Sequence, residues 1–162
     1  MHDFLSGELE ISEACLQGLE WQFPELVRLR TIPGIGRILA PVLWSEIGDL
    51  NRFASASALV NYTGLVPSLH ESGEVSIHGG ITRQGPVWLR WALVVAANAA
   101  IRGRNTFARR SRCLRRRNPA NVAKKPVARS LARCVYGVLK HGVNYQEERW
   151  GRTSGTSVGQ EA

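Results

Sequence analysis

Residues 29–48 read LRTIPGIGRILAPVLWSEIG. An apolar residue, then Pro33-Gly34-Ile35-Gly36, then small and apolar residues at helical spacing predicts two helices joined by a tight hairpin, the helix-hairpin-helix pattern. The two glycines predict positive φ and close backbone approach at Gly34 and Gly36. The second helix would begin at the hairpin with amide N–H groups that lack intrahelical partners, which is how a helix start holds a phosphate. Arg37 adds a cation beside them. Such a motif touches the sugar–phosphate backbone and not the base edges, so it supplies affinity without sequence preference. A tight turn between two core helices would carry the same residues.

Upstream, Leu9, Ala14 or Cys15, Leu16, Leu19, Phe23, Leu26 and Leu29 recur at three- and four-residue steps with acids between them. Residues 1–30 therefore read as a helical linker segment, broken at Pro24. Its acids Asp3, Glu8, Glu10 and Glu13 exclude a signal peptide. Downstream, residues 49–66 read as a short helix capped by Ser55 or Ser57 and stopped at Gly64, with Leu50, Phe53, Leu59 and Val60 as core. Residues 67–85, PSLHESGEVSIHGGITRQG, lose helical periodicity and predict a loop with a small hairpin around the β-prone Val75–Ile77. Residues 86–102 are the plainest helix, apolar nearly all round, and read as the central buried one. An Arg-dense stretch, 103–125, leads to a last helix, Pro126–His141, whose stripe of Val127, Leu131, Cys134, Val135, Val138 and Leu139 ends at Gly142. Ser, Thr and Gly dominate from residue 149 on, which predicts a disordered tail over 149–162. The expected fold is a small all-α domain with a helix-hairpin-helix near its start and a short β-prone loop.

The charge is unevenly placed. Of 21 Lys and Arg, 16 lie in residues 81–149, against only Glu147 and Glu148. Residues 1–50 hold eight acids against Arg28, Arg30 and Arg37. A basic half on a folded chain attracts a polyanion through counterion release, and arginine grips phosphate or guanine with two hydrogen bonds. The expected partner is DNA, with Arg115, Arg116 and Arg117 among its contacts. Cys15, Cys113 and Cys134 are odd in number and far apart, which excludes a disulfide framework or zinc site and fits a cytoplasmic protein. The longest apolar run, Trp91–Ala100, is too short to span a bilayer, so no membrane partner is expected.

Three pieces stand in order: the Pro33–Gly36 hairpin, His70-Glu71-Ser72-Gly73, and Gly80-Ile81-Thr82-Arg83-Gln84-Gly85 leading to Leu89-Arg90. This order resembles the C-terminal domain of the DEDD-type insertion-sequence transposases related to the Piv and MooV DNA invertases. The likeness runs from about Leu29 to Glu147, so residues 31–148 read as that DNA-binding domain. The resemblance implies a recombinase whose RuvC-like N-terminal domain carries four acidic ligands for Mg²⁺. It also implies a nucleophilic serine in the domain seen here, a homo-oligomer in the full-length enzyme, and in some members a structured guide RNA.

Ser72 matches the serine, with Ser68 and Ser76 as neighbouring alternatives. On the residues alone, Ser72 reads as a turn residue before Gly73. As a nucleophile it needs a proton acceptor, for which His70 stands two residues away, and cations for the phosphate, for which Arg83 and Arg90 are the candidates, with Thr82 a further expected DNA contact. Glu46 and Asp49 read as helix-end and turn residues, so no metal or cofactor is expected in this chain. The expectation is therefore a truncated form, inactive alone. The alternative is a non-catalytic helix-hairpin-helix DNA-binding module.

Overall fold

Proline is tolerated in the first turn of a helix because its missing N–H would have no partner there. Pro24 accordingly opens α1 (Pro24–Arg30) after an extended Phe23, in a computed structural model that describes residues 15, 18, 20–72, 75–81, 85–116 and 120–148. The break expected at Pro24 is thus present, whereas the stripe upstream of residue 15 lies outside the described residues. Helix α1 buries Leu26 and Leu29. Phe23 lies against Trp44, ring centroids 4.4 Å apart. Arg30 donates to both carboxylate oxygens of Glu20 at 2.6 Å, which ties the preceding segment to α1.

The chain reverses over 31–38 into α2 (Leu39–Ile47), which buries Leu39, Ala40, Leu43 and Ile47. Asp49 then accepts from the Asn51 amide at 2.9 Å and starts a 3-10 turn, Leu50–Arg52. Ser55, not Ser57, caps α3 (Ala56–Tyr62) by accepting from Ala58 N at 3.2 Å. Arg52 spans the rings of Phe53 and Tyr62, 4.6 Å from each centroid. The expected core residues Phe53, Leu59 and Val60 are buried, and Leu50 is packed at the margin.

Residues 67–85 fold into an antiparallel hairpin of β1 (Pro67–Ser72) and β2 (Val75–Ile81). Ser72 pairs with Val75, Glu71 with Ser76, His70 with Ile77 and Leu69 with His78, and the register shifts between Pro67 and Leu69. The β-prone stretch is therefore longer than Val75–Ile77, and Ser72 closes a strand instead of sitting in a loop. The body around the hairpin is all-α.

Helix α4 (Val87–Ala100) buries Leu89, Ala92, Leu93, Ala96, Ala97 and Ala100. It is not apolar-buried all round: Val87, Trp88 and Trp91 are exposed, and Trp88 and Trp91 meet edge-on at 5.8 Å. A further helix, α5 (Thr106–Arg115), occupies the stretch that hydrophobic periodicity left blank. Its signal is the cap: Asn105 Oδ1 accepts from Ala108 N at 3.0 Å while its Nδ2 donates to Ala100 O at 2.9 Å. The last helix, α6 (Ala120–His141), starts six residues before the expected Pro126, which it carries internally.

Helix α6 is the true centre. It contacts α1, α3, α4, α5 and the 3-10 turn. Its stripe of Val127, Leu131, Cys134, Val135 and Val138 is buried, at 4% exposure or less. Several of the side chains around it, Leu29, Leu43, Leu59 and Leu93, are as fully covered, each a burial of roughly 1.5–3 kcal/mol. Beyond α6, Tyr145 stacks on Phe107 at 5.9 Å, and its amide donates to Thr31 Oγ1 at 2.7 Å, which closes the C-terminal segment over the first reversal. Among the described residues no helix is long and apolar enough to cross a membrane.

Candidate nucleic-acid interface

The reversal between α1 and α2 is built from the inside outwards. Ile32 and Ile35 are buried, and short turns hold them: Ile32 N donates to Leu29 O at 3.1 Å and Ile35 N to Ile32 O at 3.0 Å. Pro33 and Gly34 between them are half-buried. Gly36, Arg37 and Ile38 are exposed and lead into α2, whose start has no side-chain cap. The first amides of such a helix are left for water or a ligand.

The expectation of positive φ at both glycines holds for Gly34 alone, at +92°; Gly36 is not among the positive-φ glycines. The close approach at Gly34 is internal, against α4, while a Cβ on Gly36 would meet nothing within 4 Å. Gly36 is thus the residue of the pair that faces open space.

Arg90 is half-buried on the first turn of α4 and is engaged by other groups. The hairpin docks on the other end of that helix, at Ala96 and Ala100, which lie roughly 9 and 15 Å farther along the axis by helical rise. Arg90 and the Pro33–Arg37 hairpin are therefore not brought together. Arg102 and Arg104, both exposed, follow in the turn directly after Ala100, the end of α4 on which Gly34 docks. No periodicity marks them, because their placement depends on how α4 packs.

Arg115 and Arg116 are exposed at the end of α5; Thr82, Arg83 and Arg117 lie outside the described residues. Gly85 anchors the return from the hairpin: its φ is +123° and its Cα packs directly on the Tyr62 carbonyl, so that a Cβ would overlap that oxygen. Arg109 is partly answered by Glu147 at 3.5 Å, and Glu147 also accepts from Thr106 Oγ1 at 2.6 Å.

A second group of cations was not singled out by sequence reasoning. Arg110 lies on α5 and Arg129 and Arg133 on α6, two helices that pack together, and the charges of the three guanidinium groups act on one another. Burial, and then the charge of Arg133, hold the Arg110 guanidinium below the usual arginine range; Arg129 is lowered by burial, then by Arg133 and Arg110. Arg129 and Arg133 share a helix face through i,i+4 spacing.

The described residues bring together no group of three or more His, Cys, Asp or Glu that would hold a metal. Asp49 is used as a turn cap and Glu46 is half-buried on α2. The described residues therefore offer no acidic cluster of the kind that the resemblance places in a RuvC-like domain to hold Mg²⁺.

The described residues thus combine a helical body, a two-stranded β-hairpin and an arginine-dense C-terminal half. The signature of the transposase IS116/IS110/IS902 family matches residues 27–112, from α1 into α5, and the chain belongs to that family. It is 32% identical over 153 residues to a probable family 20 transposase of Pseudomonas aeruginosa, covering 88% of this chain and 45% of that protein. It is 46% identical over 71 residues to the pilin gene-inverting protein of Moraxella bovis, covering 43% of this chain and 22% of that protein. With the transposase of insertion sequence IS1111A from Coxiella burnetii it shares 36% identity over 75 residues, 46% of this chain and 21% of that protein. The chain thus spans less than half the length of these relatives.

Proposed function

We propose that this chain is the DNA-engaging, serine-presenting domain of a transposase, with Ser72 as nucleophile. The observation that carries the reading is the place of Ser72 at the closing register of the β1–β2 hairpin, in a chain of the transposase family whose body is strongly basic. A hairpin end is reached by a bulky substrate more readily than a core position, and the Gly85 anchor sets where the hairpin leaves the body. The exposed Gly36–Ile38 turn, and the exposed Arg102 and Arg104 that follow the end of α4 on which Gly34 docks, support backbone contact with DNA of the helix-hairpin-helix kind.

In the proposed step the Ser72 hydroxyl oxygen forms a bond to a DNA phosphorus as the bond from phosphorus to one deoxyribose oxygen breaks. The serine proton passes to a base, for which His70, two register positions back, is proposed. The departing deoxyribose oxygen takes up a proton, and the cations stabilise the charge on the phosphoryl oxygens. Metal-ligating acids, a guide RNA and self-association would come from an assembly larger than the described residues.

The experiment is reconstitution with an acidic RuvC-like domain of the same family, fused or in trans, comparing Ser72→Ala with Ser68→Ala and Ser76→Ala. Strand exchange and a covalent protein–DNA adduct should be lost in Ser72→Ala alone. Full activity in Ser72→Ala would place the nucleophile elsewhere. DNA binding with no adduct from any serine would leave the non-catalytic module as the correct reading.

A further inference from the structure

Carboxylates reach several arginines of this chain: Glu25 pairs with Arg28, Glu20 with Arg30 and Glu147 with Arg109. Among the described residues none of these ion pairs includes Arg110, Arg129 or Arg133. The Nε of Arg110 is fully buried and has no hydrogen-bond partner among the described residues. Arg129 is half-buried, and Arg133 is exposed. Burying a guanidinium without an acceptor is costly, and holding a second and third cation beside it adds repulsion. An anion placed among the three would reverse both costs, since the Arg110 Nε–H would gain an acceptor and the three charges a shared counter-charge.

The shape of the group selects the anion. Planar guanidinium forks suit the tetrahedral oxygens of a phosphate. Arg115, the last residue of α5, and Arg116 after it are exposed roughly 8 and 9 Å beyond Arg110 by helical rise, on other faces of the helix. A free phosphate would use only the three-arginine group, whereas a polymer that passes this end of α5 also meets these two cations.

We infer that Arg110, Arg129 and Arg133 form one anion site between α5 and α6 that holds a single backbone phosphodiester of duplex DNA. This site rests on the reading of the chain as DNA-engaging, and it is separate in sequence and element from the Gly36–Ile38 turn. Because three cations serve one phosphate, they act as one contact in counterion release. Their mutual repulsion also makes them destabilising until the anion arrives.

The test uses the full chain and two measurements. In the first, binding of a 30-base-pair duplex is followed by fluorescence anisotropy from 50 to 200 mM salt. The Arg129→Gln/Arg133→Gln double variant should lower the slope of log affinity against log salt by about one, ~3- to 4-fold in the ratio of affinities across that range. The single variant Arg133→Gln, an exposed position that cannot endanger folding, should give part of the same loss. In the second, melting temperature is measured with and without inorganic phosphate. The double variant should melt higher than wild type without phosphate and should lose the stabilisation that phosphate gives wild type.

An unchanged slope in the double variant would overturn the inference. So would equal stabilisation of both proteins by phosphate. A loss seen on RNA with duplex DNA unaffected would overturn the DNA assignment. Phosphate stabilisation that depends on these arginines, in a chain that binds no DNA, would overturn the DNA reading of the chain while supporting the anion site.

Discussion

Gly34 lies with its Cα against the backbone of α4, so that a Cβ there would overlap the Ala96 carbonyl oxygen and stand 2.9 Å from the Ala100 amide nitrogen. The glycine of the hairpin is thus a packing residue as well as a turn residue. With φ at +92°, any other side chain meets both backbone strain and a wall of main chain that cannot yield. Gly34→Ala should cost about 2–5 kcal/mol, read as a lower midpoint in urea with little change in slope. A loss under about 0.5 kcal/mol, the range of a neutral surface change, would show that the hairpin does not dock on α4 as described.

Gly36 provides the contrast. A side chain there meets open space, so Gly36→Val should leave the urea midpoint nearly unchanged. Its effect should appear in DNA affinity, because a branched side chain would stand between the exposed turn and a phosphate. Wild-type binding by the folded variant would remove the turn from the interface.

Asn105 joins two helices by bonding Ala100 O at the end of α4 and Ala108 N at the start of α5. Asn105→Ala should cost about 1–2 kcal/mol. Because α5 carries Arg110, Arg115 and Arg116, its fraying should also weaken DNA binding. Amide hydrogen exchange should show the loss of protection concentrated in residues 106–115, and a uniform loss would argue against a local cap.

Cys134 faces the core from α6, and burial pushes its thiol up to about 12. Cys15 and Cys113 are exposed. A thiol reagent at pH 8 should therefore label two cysteines quickly and the third only on unfolding. The pH dependence follows from the sign of the shift. The neutral thiol is favoured in the fold, so its stabilising contribution is complete below the ordinary thiol value of 9.0 and is lost as pH rises towards 12. Tyr145 is shifted the same way, to about 12, chiefly by burial. Cys134→Ala should flatten the alkaline part of the stability profile, and an identical profile would exclude the thiol as a source.

Periodicity, capping and glycine placement made much of this fold legible beforehand. The break at Pro24, the stop at Gly64, the cap at Ser55 and the buried stripe of α6 all follow from local rules that act over three or four residues. The families of positions that went unread are those in which charge masks the pattern. Helix α5 has only Phe107, Ala108 and Ser111 buried among its arginines, so hydrophobic spacing was silent and only Asn105 announced it. Likewise Trp88 and Trp91, on the helix expected to be buried nearly all round, are 63% and 43% exposed, because nothing in a single helix says which neighbour will cover it.

The sequence by itself determined the helical class, the reversal at Pro33–Gly36, the basic half and the likeness that singles out Ser72. Tertiary structure alone decided what those residues face. It turned Gly34 inward onto Ala96, left Gly36 outward, docked the hairpin on the end of α4 away from Arg90, and set Arg110 on a helix packed against the one that carries Arg129 and Arg133, about twenty residues on in the chain. The reason is physical: turns and caps depend on bonds between near neighbours in sequence, whereas a site depends on which helix faces pack together, and here that is set by the burial of α6 against the helices around it.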